Sequence, residues 1–220
     1  MLGYYNDEET TAETIGPEGW LATGDLGIDE DGITGADGTL DLSLDPAGLP
    51  DSVVDKFPHL SGYAAFSIDA GDLALLPAIL KGQTAVSAAT ADGTPLDATS
   101  IQIPGVLDDL FFYDGKLGAE VFGGTVSMRL WAPTAQSASL LLFDDPDPAT
   151  LPVTVPMAED LVTGVWHAVG GLDWIGKYYL FEVVVWAPAT GQIETNRVTD
   201  PYSLSLSTNS ARSQIVDLDA

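Results

Sequence analysis

The fold is decided by the stretch Thr125-Val126-Ser127-Met128-Arg129-Leu130-Trp131-Ala132-Pro133. Apolar and polar side chains alternate through its first seven residues, which is the period of a half-buried β-strand. The alternation stops at Ala132-Pro133, and proline cannot donate to a strand ladder. The stretch therefore predicts one β-strand that ends at a turn.

Further strands follow this one at short and regular spacing. They are predicted over residues 137–143, 165–169, 176–186 and 193–198. Turn-forming residues separate them, as in Asp144-Asp145-Pro146-Asp147-Pro148, and no long helical period interrupts the series. Short strands with regular turns are typical of an immunoglobulin-like β-sandwich, which we predict from about Leu117 onward.

The sequence before this region also alternates in places. Strands are predicted over residues 39–44, 64–68, 83–89 and 99–103. The last two flank Asp92-Gly93, which is a hairpin signature. Residues 72–80 allow one short helix, which Pro77 interrupts. We predict an all-β fold with two successive β-sandwich domains, of which the second is immunoglobulin-like.

The composition is that of a folded chain with an extreme surface charge. Of 220 residues 45% are hydrophobic, and 33 acids against seven bases give a formal net charge of −26. Such a surface repels phosphate backbones and anionic lipids, so we expect neither nucleic acid nor a membrane as a partner. Neutral polysaccharide is not repelled. The charge by itself favours a plainer explanation, which is solubility in saline surroundings.

Several kinds of chemistry are excluded by what the sequence lacks. Cysteine is absent and histidine is limited to His59 and His167, so we expect no disulfide, thiolate or histidine-rich metal site. The start of the chain is neither basic nor apolar, so no signal peptide is predicted. The acidic turns Asp144–Asp147 and Asp29–Gly32 lack the full spacing of a calcium loop. We therefore favour solvated turns there and predict no metal or cofactor.

The deciding strand and its surroundings resemble pullulanase-type α-1,6-glucosidases. The resemblance lies in Arg129–Ser137, Gly176–Val183, Glu194–Leu206 and Thr208–Leu218. In that family this region is a carbohydrate-binding module of family 48, which directly precedes a catalytic barrel of glycoside hydrolase family 13. The resemblance implies an accessory region that binds α-glucan polysaccharide, with a catalytic barrel domain as a further partner.

Two other resemblances suggest how the chain is divided. Phe57–Tyr63 and Ile101–Asp108 resemble the small β domain that precedes the module in pullulanases, here without its opening strands. Gly19–Gly27 resembles adenylate-forming acyl-CoA synthetases, although their phosphate-binding loop is missing, so no nucleotide site is expected. The chain is therefore expected to be a chimera of three parts. These are a synthetase-like segment at 1–35, a truncated pullulanase β domain at 36–110 and the immunoglobulin-like binding module at 111–220.

Catalysis is not expected from this chain. Glycoside hydrolysis needs two carboxyl groups at a fixed separation, which this family carries on a (β/α)8 barrel of about 250 residues. No part of the sequence shows repeated βα units, so we predict no catalytic residue. Two alternatives stay open: a purely structural module that braces a catalytic domain without its own ligand, and hydrolysis of α-1,6-glucosidic bonds.

Candidate binding residues follow from the chemistry of sugars, whose rings stack on flat aromatic faces. Trp131 is predicted to lie in the core. Trp166 begins a strand at a position where the family often carries a ligand-facing aromatic, Trp174 lies in a turn, and Trp186 ends a strand. We predict these last three as sugar-binding residues and Lys177 as a donor to sugar hydroxyls. A core position for each ring, and a solvated turn for the lysine, are the competing interpretations.

One further expectation concerns the segment that in the family docks on the barrel. Tyr202, Leu204 and Leu206 lie in that segment. If nothing covers them, they form an exposed apolar patch that promotes self-association.

Overall fold

The computed structural model describes residues 18–29 and 32–218. It divides the chain into two compact units, with the boundary between Ile103 and Pro104. Both units are built mainly from β-strands, so the predicted all-β, two-domain fold is confirmed. Among the described residues no helix is long and apolar enough to cross a membrane.

The first unit contains one antiparallel sheet of five strands in the order β3-β2-β1-β4-β5. The strands are β1 Glu18–Asp29, β2 Gly32–Asp45, β3 Ala65–Ile68, β4 Thr84–Ala89 and β5 Pro95–Ser100. The short helices α1 Asp51–Lys56 and α2 Leu76–Ile79 connect strands of this sheet. Leu40 of β2 and Leu76 of α2 are buried against each other in one of its small apolar clusters. The described part of this unit thus has one sheet where two were predicted.

The boundary predicted at residue 35 falls inside β2. β1, which the sequence assigned to a separate synthetase-like segment, is the central strand of the sheet and pairs with both β2 and β4. The pairing runs through backbone groups, for example Leu21 with Leu40 and with Val86, and so it leaves little trace in the side-chain pattern. Residues 1–17 of the synthetase-like segment lie outside the described residues.

Two other predictions in this unit hold with local changes. The hairpin around Asp92-Gly93 is present, but its second strand begins at Pro95 because Thr90 closes a tight turn. The Thr90 backbone N–H donates to the Thr94 carbonyl at 2.9 Å. Between residues 72 and 80 a 3-10 turn precedes α2, and Pro77 lies in the first turn of α2, where its missing N–H costs no hydrogen bond.

The second unit is a sandwich of two antiparallel sheets. After helix α3 Pro104–Leu110 its strands are β6 Gly118–Phe122, β7 Thr125–Trp131, β8 Ala135–Phe143, β9 Val153–Pro156, β10 Ala158–Asp160, β11 Val165–Gly170, β12 Tyr178–Ala187, β13 Gln192–Val198 and β14 Ser213–Gln214. The front sheet has the order β10-β11-β7-β6, and the back sheet has the order β13-β12-β8-β9, with β14 also paired to β12. The five strands predicted for this half are β7, β8, β11, β12 and β13.

The core of the sandwich lies between the two sheets. Met128 of β7 points inward from the front sheet, and Leu140 of β8 and Phe181 of β12 point inward from the back sheet, all fully buried. The alternation of Thr125–Trp131, from which the fold was predicted, places Val126 and Met128 in this core. At about 25 cal/mol per Å² of apolar surface, burial between the sheets is the main stabilising term of the unit.

Residues 200–218 follow the last long strand and are called the strap here. The strap folds back on itself through an isolated bridge between Leu206 and Ser213. At its turn Asn209 and Ser210 have φ values of 58° and 54°, which non-glycine residues rarely adopt. The strap then adds β14 to the beginning of β12, where Gln214 pairs with Tyr178.

Candidate functional site

Trp166 lies in the core of the sandwich. Its side chain is 6% exposed and belongs to the buried cluster between the sheets. The indole Nε1–H donates to the Ala132 carbonyl at 3.0 Å, which satisfies its polar end. A ring in this position has no free face on which a pyranose could stack, so Trp166 leaves the set of candidate binding residues.

Trp174 and Lys177 lie together in the turn that leads into β12. The Trp174 ring covers Gly170 so closely that a Cβ atom there would lie 2.1 Å from Cε2, and it packs against the core cluster. The Lys177 backbone N–H donates to the Trp174 carbonyl at 3.1 Å. The Lys177 ammonium group forms an ion pair with Asp144. To donate to a sugar, Lys177 must therefore leave this partner.

Trp186 has a different environment. Inward residues of β12 are Tyr179, Phe181 and Val183, so strand alternation turns Trp186 to the outer face of the back sheet. It is partly buried and does not belong to the core cluster. Its cross-strand partner on β13 is Ile193, which is exposed. Among the three tryptophans predicted to bind sugar, Trp186 is thus the one that lies on the surface of a sheet.

The four predicted residues do not form one platform. Trp174 and Lys177 precede β12 and Trp186 lies near its end, and β12 is ten residues long. At a rise of about 3.3 Å per residue, the two ends of that strand are about 30 Å apart. A short oligosaccharide that stacks on Trp186 therefore cannot reach Lys177. The outward ring of Trp186 and the turn that carries Trp174 and Lys177 are two separate places on the module.

The acidic turn after β8 uses its carboxylates to fold the turn itself. Asp145 accepts from the Thr150 hydroxyl at 2.7 Å and from the Asp147 N–H at 2.8 Å. The Thr150 hydroxyl, followed by the Asp147 N–H, holds the pKa of the Asp145 carboxyl below its usual range. Within residues 18–29 and 32–218 no three acidic or histidine side chains converge as a metal site would require. In the other acidic turn, Asp29–Gly32, residues Glu30 and Asp31 lie outside the described residues.

A buried hydrogen-bond network fixes the start of the strap, and sequence reasoning missed it. The Tyr179 hydroxyl donates to Oδ2 of Asp200 at 2.6 Å, and Oδ1 of Asp200 accepts from the Tyr202 N–H at 2.8 Å. The Asp200 N–H donates to the Ser213 hydroxyl at 2.9 Å. Burial, together with the Asp200 carboxylate, raises the pKa of Tyr179 far above its usual value, so its hydroxyl keeps the proton that it donates.

A second anchor holds the far end of the strap. The Arg212 guanidinium group lies 3.6 Å from the centre of the Phe143 ring. It donates to the Asp145 carbonyl at 2.7 Å and to the Thr150 carbonyl at 3.3 Å. Arg212 is 6% exposed, so these contacts form away from water. The strap is therefore a packed part of the sandwich at both Asp200 and Arg212.

The strap turns apolar side chains outward and polar ones inward. Tyr202, Leu204 and Leu206 are 58%, 67% and 48% exposed, as the sequence predicts. Between them, the Ser203 hydroxyl donates to the Ser205 carbonyl at 2.6 Å, and the Ser205 hydroxyl donates to Oε1 of Gln214 at 2.9 Å. An exposed apolar row of this kind is a candidate interaction surface.

A groove of about 550 Å³ separates the strap from β6 and is called the edge groove here. One wall is the run Gly115–Val121 without Gly118, and the other consists of Tyr202, Leu204, Val216, Asp217 and Leu218. Gly118, at φ 81°, allows the two walls to approach, since a Cβ atom there would lie 2.9 Å from Oδ2 of Asp200.

Comparison with known protein families gives two adjacent matches. Residues 20–109 match the family described as Pullulanase N2 domain, and residues 116–203 match carbohydrate-binding module 48, the isoamylase N-terminal domain. The first match includes β1 from residue 20 onward, in agreement with its place in the sheet. The second spans β6 to β13 of the sandwich.

Individual relatives give the same result and confirm the predicted resemblance. The chain is 38% identical over 195 residues to chloroplastic pullulanase 1 from Arabidopsis thaliana, which covers 89% of this chain and 20% of the relative. It is 39% identical over 181 residues to pullulanase from Klebsiella pneumoniae, which covers 81% of this chain and 16% of the relative. The chain thus spans a fifth or less of the length of these relatives.

A solved structure shares the fold. The crystal structure of Klebsiella pneumoniae pullulanase complexed with maltotriose superposes with a TM-score of 0.81 at 33% identity, over 93% of this chain and 19% of that one. A shorter similarity concerns the synthetase-like segment. Over 32 residues, 14% of this chain and 6% of the relative, the chain is 66% identical to 4-coumarate–CoA ligase 2 from Nicotiana tabacum.

Proposed function

We propose that this chain, in which residues 20–109 match a Pullulanase N2 domain and residues 116–203 match carbohydrate-binding module 48, is a pullulanase-type accessory region that binds α-glucan. The observation that carries the proposal is the match of residues 116–203 to a carbohydrate-binding module, which coincides with the sandwich of the second unit. The related Klebsiella pneumoniae structure, which holds maltotriose, supports the same class of ligand.

Within the module we assign the contact to Trp186. Its ring lies on the outer face of the back sheet, and the same row of β13 carries the exposed Ile193 and Thr195. An aromatic face next to hydroxyl and backbone groups is the arrangement that sugar binding requires. Trp174 and Lys177 form a separate, weaker candidate because the ring packs on the core and the ammonium group is ion-paired.

Calorimetric titration of the full chain with β-cyclodextrin tests this proposal. We expect binding in the millimolar range or tighter, and we expect Trp186→Ala to weaken it about tenfold, the equivalent of about 1.4 kcal/mol. Phe122→Ala is the control, since it removes an exposed aromatic ring from β6 of the front sheet and should leave the affinity unchanged. Absence of heat, together with unchanged tryptophan fluorescence, would overturn α-glucan binding.

The exposed row on the strap favours a second candidate function, which is to brace a catalytic domain. Tyr202, Leu204 and Leu206 offer apolar surface that such a domain could cover. A purely structural role requires no response to β-cyclodextrin, but a higher unfolding temperature when a separately produced pullulanase barrel is added. Neither function requires this chain to hydrolyse glycosidic bonds. Release of reducing ends from pullulan would show that the chain has hydrolytic activity, which is the third alternative.

A further inference from the structure

The sequence contains the dipeptide Asp-Gly four times, beginning at Asp31, Asp37, Asp92 and Asp114. In this dipeptide the glycine nitrogen can attack the aspartate Cγ, because glycine has no Cβ atom that would shield its amide. A C–N bond forms, and the carboxyl OH and the amide proton leave as water, which closes a succinimide ring. Water then opens the ring at either carbonyl. One opening restores aspartate, and the other gives isoaspartate, whose main chain runs through the former side chain.

The structure protects Asp92 from this reaction. Its Oδ1 accepts from the Thr90 hydroxyl, from the Thr94 hydroxyl at 3.0 Å and from the Thr94 N–H at 3.3 Å. The Thr90 hydroxyl, followed by the Thr94 hydroxyl, holds the pKa of the Asp92 carboxyl below its usual range, and an ionised carboxylate is a poor electrophile. The Gly93 N–H donates to the Thr90 carbonyl at 2.8 Å. Both reacting groups are therefore held in the turn.

The pair Asp114 and Gly115 has no such restraint. Both residues are exposed and lie between α3 and β6, outside any helix or strand. Within residues 18–29 and 32–218 no hydrogen bond reaches the Asp114 carboxylate or the Gly115 N–H. The chain bends at Gly115, where the Tyr113 ring lies so close that a Cβ atom would be 2.4 Å from its Cζ. The carboxyl group and the nitrogen are thus free to meet.

The other two dipeptides differ from this one. Asp37 and Gly38 belong to β2, and Gly38 pairs with Thr23 of β1. Closure of the ring requires the glycine nitrogen to rotate toward the aspartate side chain, which a paired strand resists. Asp31 lies outside the described residues. Among the described Asp-Gly dipeptides, the one at Asp114 is therefore the one in which neither reacting group is held.

We propose that Asp114 is a modification site, at which aspartate isomerises spontaneously to isoaspartate through a succinimide with Gly115. The step requires no enzyme and no reagent except water. Its product is a substrate for the class of methyltransferase that esterifies isoaspartyl carboxyl groups with a methyl group from S-adenosylmethionine. The modification does not depend on α-glucan binding at Trp186, which lies on the back sheet.

Isomerisation adds one methylene to the main chain between two fixed points. Phe111 is 3% exposed, and its carbonyl accepts from the Trp131 indole at 2.9 Å. At the other end, Gly118 lies against Asp200 of the strap. The added length must therefore be accommodated between these points. There Gly115–Leu117 form part of one wall of the edge groove, so the modification changes the shape of that wall.

A single peptide reports on both sites. Trypsin cleaves after Lys81 and Lys116, and the peptide between them contains Asp92 and Asp114. After prolonged incubation of the full chain near neutral pH, electron-transfer fragmentation of this peptide locates any isoaspartate. We expect Asp114 to isomerise at least about tenfold faster than Asp92 in the folded chain. In urea, where the turn at Asp92 is lost, we expect the two rates to differ by less than about threefold.

Two variants of Asp114 complete the test. Asp114→Glu keeps the charge but would have to close a larger ring, so isoaspartate at this position should disappear. Asp114→Asn forms the same succinimide with ammonia as the leaving group, and it should react faster than the wild type. The proposal is overturned if the folded wild-type chain forms no isoaspartate at Asp114 while the urea sample accumulates it. It is also overturned if Asp92 reacts as fast as Asp114 in the folded chain, or if Asp114→Asn stays unmodified there.

Discussion

Arg212→Ala is expected to lower the free energy of unfolding of the second unit by about 3 kcal/mol. The substitution removes two charge-assisted hydrogen bonds to the carbonyls of Asp145 and Thr150 and the cation–π contact with Phe143. It also leaves those carbonyls without their donor. Urea denaturation followed by tryptophan fluorescence measures the effect, since Trp131, Trp166, Trp174 and Trp186 all lie in this unit.

Two further variants separate the contribution of the Arg212 contacts from the contribution of its positive charge. Arg197→Ala removes an arginine whose side chain is 60% exposed and paired with Glu182, and it should cost less than about 1 kcal/mol. Arg212→Lys keeps the charge but loses the planar fork and its stacking, so its stability should fall between the wild type and Arg212→Ala. If Arg212→Ala were as stable as Arg197→Ala, the strap would not be anchored as described.

Gly118→Ala should destabilise the second unit by a comparable amount, about 3 kcal/mol. An alanine at φ 81° is strained by about 1–2 kcal/mol. In addition, its Cβ atom would lie 2.9 Å from Oδ2 of Asp200 and 3.0 Å from Cβ of Tyr202. The strap must then move away from β6, which disturbs the bond between Tyr179 and Asp200.

Gly124→Ala is the matched control for this prediction. Gly124 has a nearly identical φ of 83°, but no atom lies within 4 Å of the position that a Cβ would take. Its cost should therefore be the backbone term alone, about 1–2 kcal/mol. The difference between the two variants in thermal or urea denaturation measures the contact between β6 and the strap. Equal losses would show that the strap does not press on Gly118.

The sandwich could be predicted from sequence because its strands alternate locally. Met128, Leu140 and Phe181 each stand in a run whose period of two identifies the inward face. β1 could not be assigned in the same way. It is rich in glycine, its local sequence resembles another family, and its place is determined by pairing with β4, whose residues lie more than 60 positions later.

The candidate site was harder to predict because its contacts join distant residues. The carbonyl that holds the Trp166 indole lies 34 residues away, so only the fold shows that this ring is enclosed. Arg212 reaches Asp145 across 67 residues, and no local motif marks that contact. Trp186, in contrast, follows the alternation of β12, from which its outward position could have been inferred.

The most direct test of the central claim is the set of indole N–H resonances in a ¹H–¹⁵N spectrum of the full chain during titration with β-cyclodextrin. The Trp131 and Trp166 indoles donate to the carbonyls of Phe111 and Ala132 at 2.9 and 3.0 Å and should not move. We predict that the Trp186 resonance shifts progressively with ligand concentration. A Trp186 resonance that stays in place at saturation would contradict α-glucan binding on the back sheet of this module.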